Sequence, residues 1–109
     1  MTDENKPSEK SESNTLTKEK TQPPKMWKVI LHNDDYTTME FVVHVLMKFF
    51  NKDSDQAHSI MLKVHHDDLA IVGVFTHEIA ESKTAKVNNY SKNKGHPLKC
   101  SMEPCEDEN

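Results

Sequence analysis

The sequence predicts a single small α+β domain of order β-α-α-β-α-β, with three helices packed on a three-stranded antiparallel sheet. Three observations predict it. Apolar residues alternate near positions 26–32 and 98–102, run without interruption over 69–75, and recur at three- and four-residue spacings over 38–50 and 55–66. Residues suited to helix starts stand ahead of the helical stretches: Thr37, Asp53 or Ser54, and Thr76. The first 25 residues contain only Met1 and Leu16 from the hydrophobic set, so the apolar material lies in one block. The chain thus divides into a disordered tail over 1–25, a core domain over 26–102 and an acidic tail over 103–109.

Pro23 and Pro24 impose an extended approach to the domain. From Met26 to His32, Trp27, Val29 and Leu31 share one face and Lys28, Ile30 and His32 the other, as in a half-buried strand. Asn33, Asp34 and Asp35 then favour a turn, and Thr37 with Glu40 fits a capping box for the helix that follows. That helix, Thr38 to Phe50, carries Val42, Val45, Leu46, Phe49 and Phe50 as its stripe, with Met39 and Phe41 extending the apolar surface toward the acidic corner. The second helix, Asp55 to His66, repeats the spacing with Ala57, Ile60, Met61 and Val64. His65 follows Met61 by four residues, so both border one edge.

Leu69 to Phe75 is continuous and rich in β-branched residues, which predicts the central strand, covered on both faces. Thr76 can cap a third helix reaching about Asn93 before Gly95. Its narrow stripe of Ile79, Ala80, Val87 and Tyr90 leaves a polar side for solvent or a partner. Leu98, Cys100 and Met102 alternate as a short last strand.

Composition excludes several function classes. Residues 1–25 carry five Lys against five acids and residues 26–102 nine against nine, so the net charge of −4 belongs to Glu103, Glu106, Asp107 and Glu108. The chain has no Arg, the side chain best suited to bidentate phosphate contacts, and its domain is neutral; no nucleic-acid partner is expected. There is no signal-like apolar leader and no membrane-length apolar run, so the expected location is cytoplasmic, with no membrane partner. Cys100 and Cys105 lack a second ligand pair, and two such cysteines read as free thiols.

His65-His66-Asp67-Asp68 raises a metal site, but neighbouring helix residues point about 100° apart and His65 and His66 cannot readily grip one ion. No metal and no cofactor are expected. Asp34 with His65 could orient a nucleophile, yet neither cysteine has an activating setting in the sequence, and two glycines make no phosphate loop. An enzyme is not expected.

Lys28 to Val42, Met61 to His65, Gly73 to Thr76 and Glu81 to Lys83 together closely resemble the ClpS family, adaptors of the ClpAP protease. The resemblance spans nearly all of Pro23 to Met102. It implies an adaptor that binds N-degron substrates through a free α-amino group and a first residue of Leu, Phe, Tyr or Trp. It implies delivery to the N-terminal domain of the ClpA unfoldase by a monomer. By position, Asn33, Asp34 and His65 would hold the amine. Thr37, Met39, Val42, Met61, Val64 and Leu98 would line the side-chain pocket, with Met39 as the gatekeeper that excludes β-branched residues. Glu78 and Lys83 would contact the unfoldase.

Physical chemistry agrees with that division: an α-amino group, pKa near ~8, is mostly cationic at neutral pH and suits an Asn carbonyl, an Asp carboxylate and a neutral His nitrogen. Two positions depart from the family. Thr38 stands where Pro is common, and His32 where an apolar residue is usual, which brings a titratable ring next to the expected amine site. The alternative function is an interaction module on the same scaffold that binds the unfoldase but not N-terminal residues.

Overall fold

The computed structural model describes residues 23–106; the predicted tail up to Gln22 and the acidic tip from Asp107 lie outside the described residues. The elements follow the predicted order: β1 (Met26–His32), α1 (Met39–Phe49), α2 (Ser54–Asp67), β2 (Leu69–Thr76), α3 (His77–Asn93) and β3 (Lys99–Pro104). The sheet is antiparallel throughout with strand order β2-β1-β3.

That order corrects one expectation. The central strand is β1, and β2 lies at an edge. Although β2 is apolar along its whole length, Leu69, Ile71 and Val74 are each close to half exposed, whereas Val29, Ile30 and Leu31 of β1 are all buried. A neighbour on each side is what covers β1: Ile30 sits between Ile71 and Ser101 and is hidden even on the sheet's open face. The opposite face carries the core, where Val29, Leu31, Ala70, Val72 and Cys100 meet Val45, Leu46, Ala57, Val64, Ala80 and Val87 from the helices. α3 packs across all three strands, α2 lies against β2, and α1 packs on both other helices.

Caps set the helix limits. α2 starts with Asp53, which makes a capping box with Gln56 through bonds of 2.8 and 3.1 Å. It stops at Asp68, held left-handed at φ 73°. α3 starts after Thr76 without a side-chain cap bond and gives way to Gly95 at φ 82°. The predicted α3 stripe holds at Ala80 and Val87, but Ile79 is half exposed and the buried position one turn past Val87 is Ser91. No helix among the described residues is long and apolar enough to cross a membrane.

Between Val29 and Ile30 the β1–β2 register slips, leaving Val72 as an extra residue. Beside this bulge the Phe75 ring folds over Gly73, where an added Cβ would lie 2.5 Å from a ring carbon. Gly73→Ala must therefore displace the ring, and we expect it to lower the unfolding free energy by about 1–3 kcal/mol in urea titration. An unchanged midpoint would mean that the ring swings away freely.

Candidate functional site

The corner between β1 and α1 is built by Asp34. One carboxylate oxygen accepts the backbone N–H groups of Tyr36 and Thr37, both at 2.7 Å, and the other accepts the Thr37 hydroxyl at 2.6 Å. Asn33 is fixed from the other side, its N–H donating to the Asp68 carbonyl at 2.8 Å and so tying the end of β1 to the end of α2. The helix cap differs from the predicted capping box. Thr38, with extended backbone, is the N-cap, and its hydroxyl accepts the Phe41 N–H at 3.1 Å. Thr37 is spent inside the loop. The position where the resemblance implied Pro thus carries a working cap.

This loop forms one wall of a cavity of about 410 Å3, contributed by residues 33 to 38. Met39 and Val42 of α1 and Met61, Val64 and His65 of α2 form the rest. Val42, Met61 and Val64 are buried, while Met39 is 47% exposed and stands at the rim. Asn33, Asp34 and His65, with an amide, a carboxylate and an imidazole side chain, line the same cavity. One hollow therefore combines polar side chains with buried apolar ones.

The charge on Asp34 is secured by the loop. Partial burial pushes the Asp34 carboxyl up, but the Thr37 hydroxyl, the Thr37 and Tyr36 amides and nearby His96 together outweigh it and hold the group below its ordinary 3.8. His96 is itself stacked on Phe41, with ring centroids 3.9 Å apart. His66 faces elsewhere: it bonds Asp67 at 2.8 Å, which raises its pKa, and stands apart from the cavity that His65 lines. Among the described residues no three metal-ligating side chains come together.

Of the pocket residues expected from the sequence, Asn33, Asp34, Thr37, Met39, Val42, Met61, Val64 and His65 all line the cavity. Leu98 does not. It is 4% exposed and belongs to the core, just ahead of β3. Asp35, Tyr36 and Thr38 line the wall without having been singled out as pocket residues. Their signal was their place in the same Asx-rich turn. His32 bonds Ser101 across the β1–β3 pair at 2.6 Å and takes no part in the wall.

Glu78 and Lys83 are not brought together. Five residues apart on α3, they differ by about 140° around the helix. Glu78 is exposed, whereas half-buried Lys83 donates to the Phe49 carbonyl at 2.8 Å and lies over the Phe50 and Phe75 rings. Cys100 is buried, which pushes its thiol up to about 11 and leaves it unsuited to nucleophilic work.

Comparison with known proteins gives a consistent picture. The family model for the "ATP-dependent Clp protease adaptor protein ClpS" matches residues 22–101. The ATP-dependent Clp protease adapter protein ClpS of Roseobacter denitrificans is 55% identical over 89 residues, which cover 82% of this chain and 79% of that one. The structure of Agrobacterium tumefaciens ClpS2 bound to L-phenylalaninamide superposes with a TM-score of 0.74 at 38% identity, covering 76% of this chain and all of that one.

The lowered Asp34 pKa fixes a sign. A carboxyl depressed by folding contributes stability that is fully present above its unfolded-state value, close to 3.8, and lost as pH falls through its lower folded value. Asp34→Asn should therefore unfold at lower urea than the parent at pH 7, by about 1 kcal/mol for this half-buried group. The gap should close as the medium is acidified below pH 3.8. A gap that persists undiminished in acid would show that the carboxylate charge is not what holds the loop.

Proposed function

Because the chain belongs to the ClpS family of Clp protease adaptors, we propose that its cavity reads the first residue of N-degron substrates and that the protein hands them to the ClpA unfoldase. One observation carries this reading: a single cavity joins the acceptors Asn33, Asp34 and His65 to the apolar floor of Val42, Met61 and Val64. A free α-amino group is cationic with several donors, and it meets three acceptors. A bulky apolar side chain attached one carbon away meets the floor. Leu, Phe, Tyr and Trp, the first residues that the resemblance to ClpS adaptors implies, satisfy both. Agrobacterium tumefaciens ClpS2, a relative of known structure, was solved with L-phenylalaninamide, a compound with both features, and this supports the reading.

Neither half suffices alone. A hydrogen bond to a charged group contributes about 1.5–3 kcal/mol, and full burial of a Leu or Phe side chain a comparable ~1.5–3 kcal/mol. Loss of either weakens binding by roughly tenfold to two hundredfold. Met39, exposed at the rim, acts as the gate, where a branch on the first carbon of an entering side chain collides with it. Its flexible thioether, like that of Met61, adapts to entrants of different shape.

Delivery uses a different surface. We assign the outward contact with the N-terminal domain of ClpA to exposed Glu78. Lys83 mainly joins α3 to the end of α1, and only its exposed part is open to the unfoldase. The protein acts as a cytoplasmic monomer, binds and transfers without catalysis, and uses no cofactor.

Titration against a fluorescent peptide beginning with Leu tests the pocket. The same peptide acetylated, a version beginning with Val, and the Leu peptide against Asp34→Ala should each bind at least tenfold more weakly. Equal binding in all four arms would reduce the protein to a scaffold that meets the unfoldase without reading N-termini. The tail supplies a separate test. Fully extended, 25 residues reach about 85 Å, far enough to enter an unfoldase pore. Deleting residues 2–17 should leave peptide affinity unchanged and slow ClpAP degradation of a Leu-tagged substrate; degradation at the parent rate would rule out a role for the tail in delivery.

A further inference from the structure

A second, smaller hollow of about 260 Å3 lies between α1 and α2, lined by Met39, Glu40, Val43, His58 and Met61. Met39 and Met61 also line the larger cavity. The two methionines are thus a partition with a hollow on either side. Helix spacing explains the arrangement. Met39 and Val43 are one turn apart on α1, and His58 and Met61 one turn apart on α2, so the second hollow is the groove where these two helices pack. Its bed is apolar, with Val43 packed on the core. Its polar groups, Glu40 and His58, are exposed at the edge, and the His58 ring is fixed against the Ser54 carbonyl at 2.8 Å.

We propose that this groove is a second subsite of the same recognition site and takes the apolar side chain of the residue that follows the first. The inference rests on the function proposed above and deepens it. A chain whose amine faces Asn33, Asp34 and His65, and whose first side chain fills the larger cavity, can leave across the Met39–Met61 partition. In an extended chain consecutive side chains point to opposite sides, so the second one falls on the far flank of that partition. Continuity of the two hollows through shared residues is what singles out this occupant. The groove is open, so it buries only part of a Leu side chain, and the expected gain is modest.

Calorimetric titration of the full chain with Phe-Leu-Ser-Ser amide, Phe-Ser-Ser-Ser amide and phenylalaninamide tests the subsite. In the parent, Leu at the second position should tighten binding about three- to tenfold over Ser. In Val43→Asp that difference should vanish while phenylalaninamide binds as it does to the parent, which also reports that the variant is folded. If the charge disrupts α1, Val43→Ser carries the same expectation at smaller amplitude. Equal affinity of the two peptides for the parent, or a difference that survives intact in folded Val43→Asp, overturns the second subsite. Failure of phenylalaninamide and both peptides to bind the parent overturns the first-residue reading together with it.

Discussion

The site depends on one carboxylate. Asp34 gathers three donors from Tyr36 and Thr37 and so closes the turn that joins the central strand to α1. Those bonds do two things at once. They satisfy backbone amides ahead of α1, and they hold a negative charge at the mouth of a hollow whose floor is hydrocarbon. Without them the Thr38 cap, Met39 at the start of α1 and the position of Asn33 would each lose a reference point. The strand supplies the rigid base, because β1 is paired on both sides and Asn33 is bonded to Asp68 at the far end of α2.

Helices and loop divide the labour by chemistry. α1 and α2 satisfy their backbone internally and present side chains, which makes them a good source of apolar wall. The loop cannot satisfy its own amides in that way and recruits polar side chains, of which Asn33, Asp34 and Thr37 also line the cavity. His65 is the exception, a polar lining residue on a helix, placed one residue beyond buried Val64 and four beyond Met61. Aromatic stacking of Phe41 with His96 and Tyr90 braces α1 from behind, so the wall is backed by packed rings.

Much of this was legible in the sequence, and the failures have physical causes. Helical periodicity located all three helices, and the Asx-rich turn between an alternating strand and a helix start located the loop that walls the cavity. Strand order was misread because an unbroken apolar run resembles a strand buried on both faces; in a three-stranded sheet this small, Leu69, Ile71 and Val74 are instead left partly open. The cap moved by one residue because two threonines stand side by side. Local pattern alone cannot show that Asp34 has already engaged the hydroxyl of Thr37. Leu98 and Lys83 are tertiary matters. Whether a Leu faces a cavity or a core, and whether a Lys reaches solvent or the carbonyl of Phe49, depends on neighbours distant in sequence.

The bulge at Val72 has meaning for a protein that handles polypeptide chains. An exposed strand edge is a template on which any extended segment can add itself by backbone hydrogen bonding, whatever its sequence. Here the two-residue repeat is broken midway along β2, so a straight incoming strand can match the stretch before Val72 or the stretch after it, but not both in one register. The opposite edge ends at Pro104, which has no N–H to offer. Both margins of the sheet are therefore poor hosts for indiscriminate capture of an extended chain.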